Sequence, residues 1–278
     1  MTESLTVAAA LAQARRCGVA RLDAHLMLAR LADVDRTWLI AHDDALLAAG
    51  LSSRWASWLE RRASGEPLAY LLGEKEFHGL LLHVGRAVLV PRPETELLVD
   101  WADLLLGDGG GRIDVVDLGT GSGAIALAVK HAHPEARVVA TDASPGALAI
   151  AKANAERLAL PVEFIEASWW QGLEGRRFDL VLANPPYVRA DDPTLLTLAH
   201  EPRMALTPGG DGLSALAAIV AGAVEHLRAD GWLLLEHGFD QAEAVGDLLR
   251  QAGFEEVQTR RDLAGHPRAC GGRFARHP

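Results

Sequence analysis

Cysteine is scarce in this chain: 278 residues carry only Cys17 and Cys270. Nothing in the sequence pairs them, so no disulfide framework is expected, and a reduced, cytoplasmic protein is the simple reading. No apolar run approaches the roughly 18 residues that a membrane-spanning helix needs. Met1-Thr2-Glu3-Ser4 lacks the basic region that opens a signal peptide. The 11 histidines are mostly scattered, and no Cys/His grouping has zinc-site spacing, so no metal is expected. Positive charge is short as well. Lys and Arg number 27 against 37 Asp and Glu, a net charge of −10. A protein that held bulk DNA or RNA would usually present a basic face. Arg15-Arg16 and Arg61-Arg62 are the only basic doublets in the N-terminal part. There is no internal repeat and no long low-complexity segment.

What the chain does have is apolar residues, 49% of the total, enough for one large domain or two smaller ones. Residues 5–72 read as all-helical. Leu22, Leu26, Leu28 and Leu31 recur at three- and four-residue spacing, as do Trp55, Trp58 and Leu59. Ser52 or Ser53 is a plausible N-cap for the later helix, and Gly65-Glu66-Pro67 ends it. Residues 30–44, with Trp38, read as a connection. This helical bundle either packs on the main domain or grips a partner.

Between 74 and 93 the pattern changes. Phe77, Leu80, Leu82 and Val84 partly alternate, Gly85 turns the chain, and Val88-Leu89-Val90 follows, which reads as a β-hairpin between domains. Val90-Pro91-Arg92-Pro93-Glu94-Thr95-Glu96 is then extended, with Pro93 placed to open a helix over 94–106. It is either a rigid linker with an acidic helix start or a device that fixes Arg92 and Glu94. Gly107 to Gly111 reads as a flexible hinge.

Beyond the hinge, strands and helices alternate. Strands are expected at 113–118, 137–141, 162–165, 178–183 and 232–235, and helices at 124–133, 144–158, 213–227 and 240–252. Two short strands at 255–260 and 273–276 close the chain. Such alternation specifies an α/β fold, a mainly parallel sheet with helices on both faces. Ligands bind such sheets at the carboxyl ends of the strands.

Two motifs fall at those ends. Gly119-Thr120-Gly121-Ser122-Gly123 sits between the first strand and its helix, where bare backbone and a helix N-terminus receive a ligand. Asp142 ends the second strand, 19 residues after Gly123, and can accept from a ribose diol. No Walker lysine follows, which disfavours ATP. Asp117, just before the loop, either meets a cationic ligand or caps the loop. The second motif is Asn184-Pro185-Pro186-Tyr187. Two prolines cannot continue a strand, so the chain leaves the sheet there abruptly.

D-L-G-T-G-S-G at 117–123, T-D at 141–142 and N-P-P-Y at 184–187 resemble the class I S-adenosylmethionine-dependent methyltransferases of planar nitrogens. G-E-P-L-A-Y-L at 65–71, V-P-R-P-E-T-E at 90–96, H-E-P-R-M-A-L at 200–206 and L-L-L-E-H-G at 233–238 sharpen the likeness. Together they resemble the release factor glutamine methyltransferase family (PrmC/HemK), from about residue 20 to the C-terminus.

The resemblance implies a Rossmann-like methyltransferase domain at 93–278, a hairpin linker at 74–92 and a substrate-recognising helical domain at 1–73. It implies methyl transfer from S-adenosylmethionine to the side-chain amide nitrogen of the glutamine in the Gly-Gly-Gln motif of peptide chain release factors. Gly119 to Gly123 would line the methionine part of the cofactor, Asp142 would bind the ribose, Trp169 would lie against the adenine, and Asn184 would face both methyl donor and substrate. The family's usual acid before that tryptophan is replaced by Ser168, a weaker acceptor. Asn184, Pro185, Pro186 and Tyr187, with Arg92 and Glu94, would hold the substrate amide. Glu201-Pro202 would order the loop after N-P-P-Y, whereas Glu236-His237 reads as structural. The expected form is a cytoplasmic monomer that binds neither membrane nor bulk nucleic acid. The alternative is a methyltransferase of exocyclic amino groups in DNA or RNA bases, which N-P-P-Y fits equally well.

Overall fold

Helical spacing of apolar residues persists up to Leu72 and strand alternation takes over soon after, and the chain divides accordingly. The computed structural model describes residues 5–107 and 113–275. It forms two compact units, Met1–Glu74 and Lys75–Pro278. No helix among the described residues is long and apolar enough to cross a membrane.

The first unit contains α1 (Val7–Arg16), α2 (Arg21–Ala32), α3 (Arg36–Ala41), α4 (Leu51–Ala63) and α5 (Leu68–Leu72). Val7, Met27, Leu28, Leu39 and Trp55 are wholly buried in its core. Leu28 and Leu31 of α2 and Trp55 and Leu59 of α4 join that core as their spacing predicts, but Leu22 is exposed and Leu26 lies outside it, their places on α2 being taken by Ala24 and Met27. Helix α3 lies inside the span expected to be a plain connection. Six residues are too few to show a period, and its signal is the cap, Asp35, which accepts from the Trp38 N–H at 2.6 Å. Neither Ser52 nor Ser53 caps α4. The helix starts behind Gly50, and the Ser53 hydroxyl donates to the Gly50 carbonyl at 3.0 Å.

The second unit holds a hairpin, β1 (Glu74–Phe77) and β2 (Leu80–His83), turned at His78-Gly79. Val88–Val90 is not a strand, contrary to the alternation reading. Val88 and Val90 are apolar because they are buried, not because they pair in a ladder. Pro93 opens a 3₁₀ turn, Pro93–Thr95, and α6 begins only at Glu96, running to Leu106. Gly107 ends α6, its N–H donating to the Asp103 carbonyl at 2.9 Å. The remainder of the expected Gly107–Gly111 hinge lies outside the described residues.

Next come β3 (Asp114–Leu118), α7 (Ala124–Ala132), β4 (Arg137–Asp142), α8 (Pro145–Leu158), β5 (Glu163–Glu166) and β6 (Phe178–Ala183). A single helical turn, α9 (Thr194–Thr197), interrupts the loop after N-P-P-Y. Then follow α10 (Ser214–His226), β7 (Leu227–Glu236), α11 (Ala242–Gln251), β8 (Phe254–Arg261) and β9 (Pro267–Phe274). The last strand starts six residues earlier than expected, because Gly271 and Gly272 pair in the ladder although they carry no apolar signal.

Seven strands form one sheet in the order β5-β4-β3-β6-β7-β9-β8. β3 to β7 are parallel, and β9 joins β7 and β8 antiparallel. Strand period sorts the core into two layers. Val115, Leu180, Leu182 and Leu234 face α6 and α7, beside Leu98, Trp101 and Leu127. Val116, Val181, Leu233 and Leu235 face α10 and α11, beside Leu216, Ile219 and Leu249. Strand order runs outward from β3 in one direction and from β6 in the other. The carboxyl ends of β3 and β6 therefore mark the topological switch point, where such sheets bind ligands.

Candidate active site

Leu118 and Ala183, the last residues of β3 and β6, are register partners. The glycine turn and N-P-P-Y thus leave the sheet side by side. The N–H groups of Gly119 and Thr120 both donate to the Thr141 carbonyl at 2.9 Å, which folds the turn over the end of β4. Gly119 has φ +76°, and a Cβ there would stand 3.3 Å from the Trp169 ring. Only glycine gives both the backbone angle and the room. The Asp142 carboxylate braces the turn. Oδ2 accepts from the Gly121 N–H at 2.8 Å and Oδ1 from the Ser144 N–H at 2.9 Å. Each oxygen retains a lone pair for a ligand hydroxyl. Burial raises the Asp142 pKa, and the two N–H groups oppose that rise.

These residues line a cleft with about 970 Å³ of empty space. Gly119 to Ser122 and Asp142 form one side, with Trp169 and Ser168 nearby. Val88, Leu89 and Pro91 form an apolar wall, and Pro202, Met204 and Ala205 another. Asn184 and Pro186 lie at the cleft too. Gly123 does not line it. Its φ is +84°, and a Cβ there would stand 3.0 Å from Leu127 and 3.3 Å from Ala151, so this glycine lets α7 pack closely on α8. Among the described residues the one basic side chain in the wall is Arg92, and it is engaged. Its Nη2 donates to Glu201 Oε1 at 2.5 Å, while Glu201 Oε2 accepts from the Val90 N–H at 3.0 Å. Glu201 thus ties the loop after N-P-P-Y to the proline-rich segment.

N-P-P-Y itself divides. The Asn184 Nδ2 donates to Thr95 Oγ1 at 3.0 Å, which turns its other amide atom, Oδ1, away from Thr95. Pro185 is buried behind the cleft, and Tyr187 points elsewhere. The Tyr187 hydroxyl donates to Glu236 Oε1 at 3.0 Å, and its carbonyl accepts from Gln241 Nε2 at 3.0 Å. Burial, then the negative Glu236, push the Tyr187 pKa up, so the phenol keeps its proton. Glu94 is not in the cleft wall and acts on Glu236 and Arg268 through its charge.

Comparison with known proteins settles the family. The profile described as "Methyltransferase small domain" matches residues 95–252, and that described as "PrmC N-terminal domain" matches 3–73. A release factor glutamine methyltransferase of Xylella fastidiosa strain Temecula1 is 47% identical over 258 residues, covering 92% of this chain and 94% of its own. The chain belongs to the release factor glutamine methyltransferase family. A Bordetella pertussis relative of the same name is 46% identical, over 92% of this chain and 95% of its own. Among solved structures, the 16S rRNA N2 G1207 methyltransferase of T. thermophilus superposes with a TM-score of 0.55 at 21% identity. That match covers 73% of this chain and 50% of the other. It shares the fold: a Rossmann-like, class I methyltransferase sheet.

Three members of the site in this family member carry little signal in the sequence. Thr95 looks like part of an acidic helix start, Glu236 like a strand-end residue, and Glu201 only hints at its role by lying next to a proline. Asp117, left open between cation contact and capping, caps. It is fully buried; Oδ2 accepts from the Thr120 hydroxyl at 2.6 Å and the Ala126 N–H at 3.2 Å, and Oδ1 has no partner. Burial pushes its carboxyl up to about 7. The stability of the protonated form is complete below about pH 4 and is lost as pH rises through about 7. Asp117→Asn should therefore raise the melting temperature, and by more at pH 8 than at pH 5. An equal shift at both would show that Asp117 does not titrate on folding.

Proposed function

We propose that this chain transfers a methyl group from S-adenosylmethionine to the side-chain amide nitrogen of the glutamine in the Gly-Gly-Gln motif of peptide chain release factors. The names of its relatives support that substrate. The structural observation that carries it is the Asn184 amide, tied back through Nδ2 to Thr95 so that Oδ1 can serve the cleft.

The residues of the cleft fit the cofactor. Asp142 offers acceptors to a ribose diol, Trp169 a flat face to an adenine, and the α7 N-terminus free N–H groups to a carboxylate. Ser168 stands where it can contact the adenine edge. With Arg92 already engaged by Glu201, no free cation among the described residues of the wall awaits a pyrophosphate, and an uncharged or cationic nucleoside suits the site better. Bound S-adenosylmethionine supplies an electrophilic methyl group on a sulfonium.

An amide nitrogen is a weak nucleophile, because its lone pair is delocalised. The protein's main task is to hold that nitrogen in line with the methyl–sulfur bond. Asn184 Oδ1 and the Pro185 carbonyl accept the two amide hydrogens. Both hydrogen bonds strengthen as positive charge develops on nitrogen. A backbone carbonyl can do this although the Pro185 ring is buried. Pro186 flanks the amide plane and Arg92 borders the approach, while Tyr187, bonded to Glu236 and Gln241 away from the cleft, holds the strand exit rigid. The helical segment 1–73, of which residues 3–73 match the profile described as "PrmC N-terminal domain", is the part we assign to recognising the release factor. The same reading has the chain work as a monomer in the cytoplasm.

The test offers labelled S-adenosylmethionine together with release factor or with DNA. Label on the Gly-Gly-Gln glutamine is the expected result. Label on DNA, or on neither, overturns the assignment.

A further inference from the structure

A fully buried amide must find partners for its donors as well as its acceptor, and Asn154 of α8 finds them all on backbone. Its Nδ2 donates to the Ser122 carbonyl at 3.0 Å and to the His83 carbonyl at 2.9 Å, and Oδ1 accepts from the His83 N–H at 2.7 Å. Two carbonyls and one N–H admit a single orientation of the amide, so its ends cannot swap. Ser122 belongs to the glycine turn. His83 ends β2 and leads into the apolar wall formed by Val88, Leu89 and Pro91. We infer that Asn154 is a positioning residue for the cofactor: without lining the cleft, its side chain sets both the Ser122–Gly123 peptide of the glycine turn and the start of the 88–91 wall, and so fixes one relative to the other.

The peptide between Ser122 and Gly123 is held at both ends. Asn154 takes its carbonyl, and the Gly123 N–H donates to the Thr120 carbonyl at 2.9 Å. Its plane is therefore fixed immediately ahead of α7, whose N-terminus offers free N–H groups to a ligand. One turn earlier on α8, Ala151 packs on Gly123, 3.3 Å from where a Cβ would stand. Helix α8 thus grips the turn twice, by an apolar contact and by a hydrogen bond.

The same helix lays down the segment that leads to the wall. Gly146, Ile150, Asn154 and Arg157 recur at four- and three-residue spacing and share one face of α8. Their partners run the opposite way along the chain: Ala87, Gly85, His83 and Leu81. A Cβ on Gly146 would stand 3.2 Å from Ala87, and one on Gly85 would stand 3.9 Å from Ile150. Arg157 donates to the Leu81 carbonyl. Asn154 is the member of this row that also bonds to the glycine turn. Without it, the turn and the wall segment would shift independently.

The inference rests on the glycine turn holding S-adenosylmethionine, and its test separates the two. Full-length wild type, N154A, N154D and R157A would be compared for S-adenosylhomocysteine binding by calorimetry, for kcat and both KM values with release factor, and for melting temperature. N154A removes all three hydrogen bonds. N154D keeps the volume and the acceptor for His83 but loses both donors. R157A frees Leu81 and leaves the glycine turn untouched. In N154A and N154D, S-adenosylhomocysteine affinity should fall about 10-fold, the order of one lost hydrogen bond, and KM for S-adenosylmethionine should rise in proportion. Turnover at saturating cofactor and KM for release factor should change little, and R157A should bind as wild type does. Wild-type affinity in N154A or N154D, whatever their melting temperatures, would overturn the inference. So would an equal loss in R157A, or a fall in kcat at unchanged affinity. If neither Asn154 variant folds, hydrogen exchange in wild type decides. S-adenosylhomocysteine should slow exchange of the His83 N–H several-fold more than that of Gly79, which is bonded to Glu76 Oε1 in the same hairpin. Equal slowing at both would overturn the inference. A wild type that binds no S-adenosylhomocysteine would instead defeat the assignment of the cleft.

Discussion

Replacing Asn184 with alanine should lower methyl transfer by about 100- to 1,000-fold, the usual cost of removing one preorganised partner of transition-state charge. The side chain contributes one acceptor to the substrate amide and is held by one donor bond to Thr95. Alanine removes the acceptor and leaves Thr95 without its donor. Cofactor affinity should fall much less, since the glycine turn, Asp142 and Trp169 remain. Single-turnover rates with release factor, set against S-adenosylhomocysteine binding by calorimetry, separate the two effects. A variant with near-normal turnover would show that the clamp is made elsewhere. One whose turnover and cofactor affinity collapse together would show that Asn184 serves the cofactor and not the substrate.

Asp142→Ala should act in the opposite sense, weakening S-adenosylhomocysteine binding by about 100-fold or more. Hydrogen bonds to a charged group contribute about 1.5–3 kcal/mol each, and a ribose diol makes two. The carboxylate also accepts from the Gly121 and Ser144 N–H groups, so its loss leaves the glycine turn held to the end of β4 only by the Thr141 carbonyl. Asp142→Asn distinguishes the contributions. It keeps the shape but only one acceptor, so it can satisfy the Gly121 or the Ser144 N–H but not both, and should recover binding only in part. Cofactor binding within a few fold of wild type in Asp142→Ala would place the ribose elsewhere in the cleft.

The sequence makes the sheet legible because parallel strands buried on both faces are continuous apolar runs with clear ends. Phe178–Ala183 is found as expected, residue for residue. Val88–Val90 is as apolar as any strand but joins no ladder, since burial alone suffices to explain its composition. Helix α3 escapes because a single turn and a half has no period to detect. The site is legible where backbone chemistry demands a residue type, as in the glycine turn and the two prolines. It is not legible where a side chain acts on another side chain. Tyr187 reads as a flank to the cleft, yet its hydroxyl is spent on Glu236, a partner 49 residues away. Gly123 reads as a cofactor contact, but the space it frees is taken by Leu127 and Ala151. Such assignments depend on which strand ends meet, and no local pattern encodes that.

The pairing of Leu118 with Ala183 has a mechanical consequence. The two loops that would carry donor and acceptor are anchored on adjacent strands at the same level. Their separation is therefore the interstrand pitch of a β-sheet, about 4.8 Å, set by peptide hydrogen bonds common to every such sheet. Evolution can exchange the side chains of β3 and β6 freely for others that fill the same volume without altering that gauge. Only a slip in the ladder could change it, and a slip by one residue would turn both buried faces inside out. The reach between the two loops is thus protected by the stability of the whole domain.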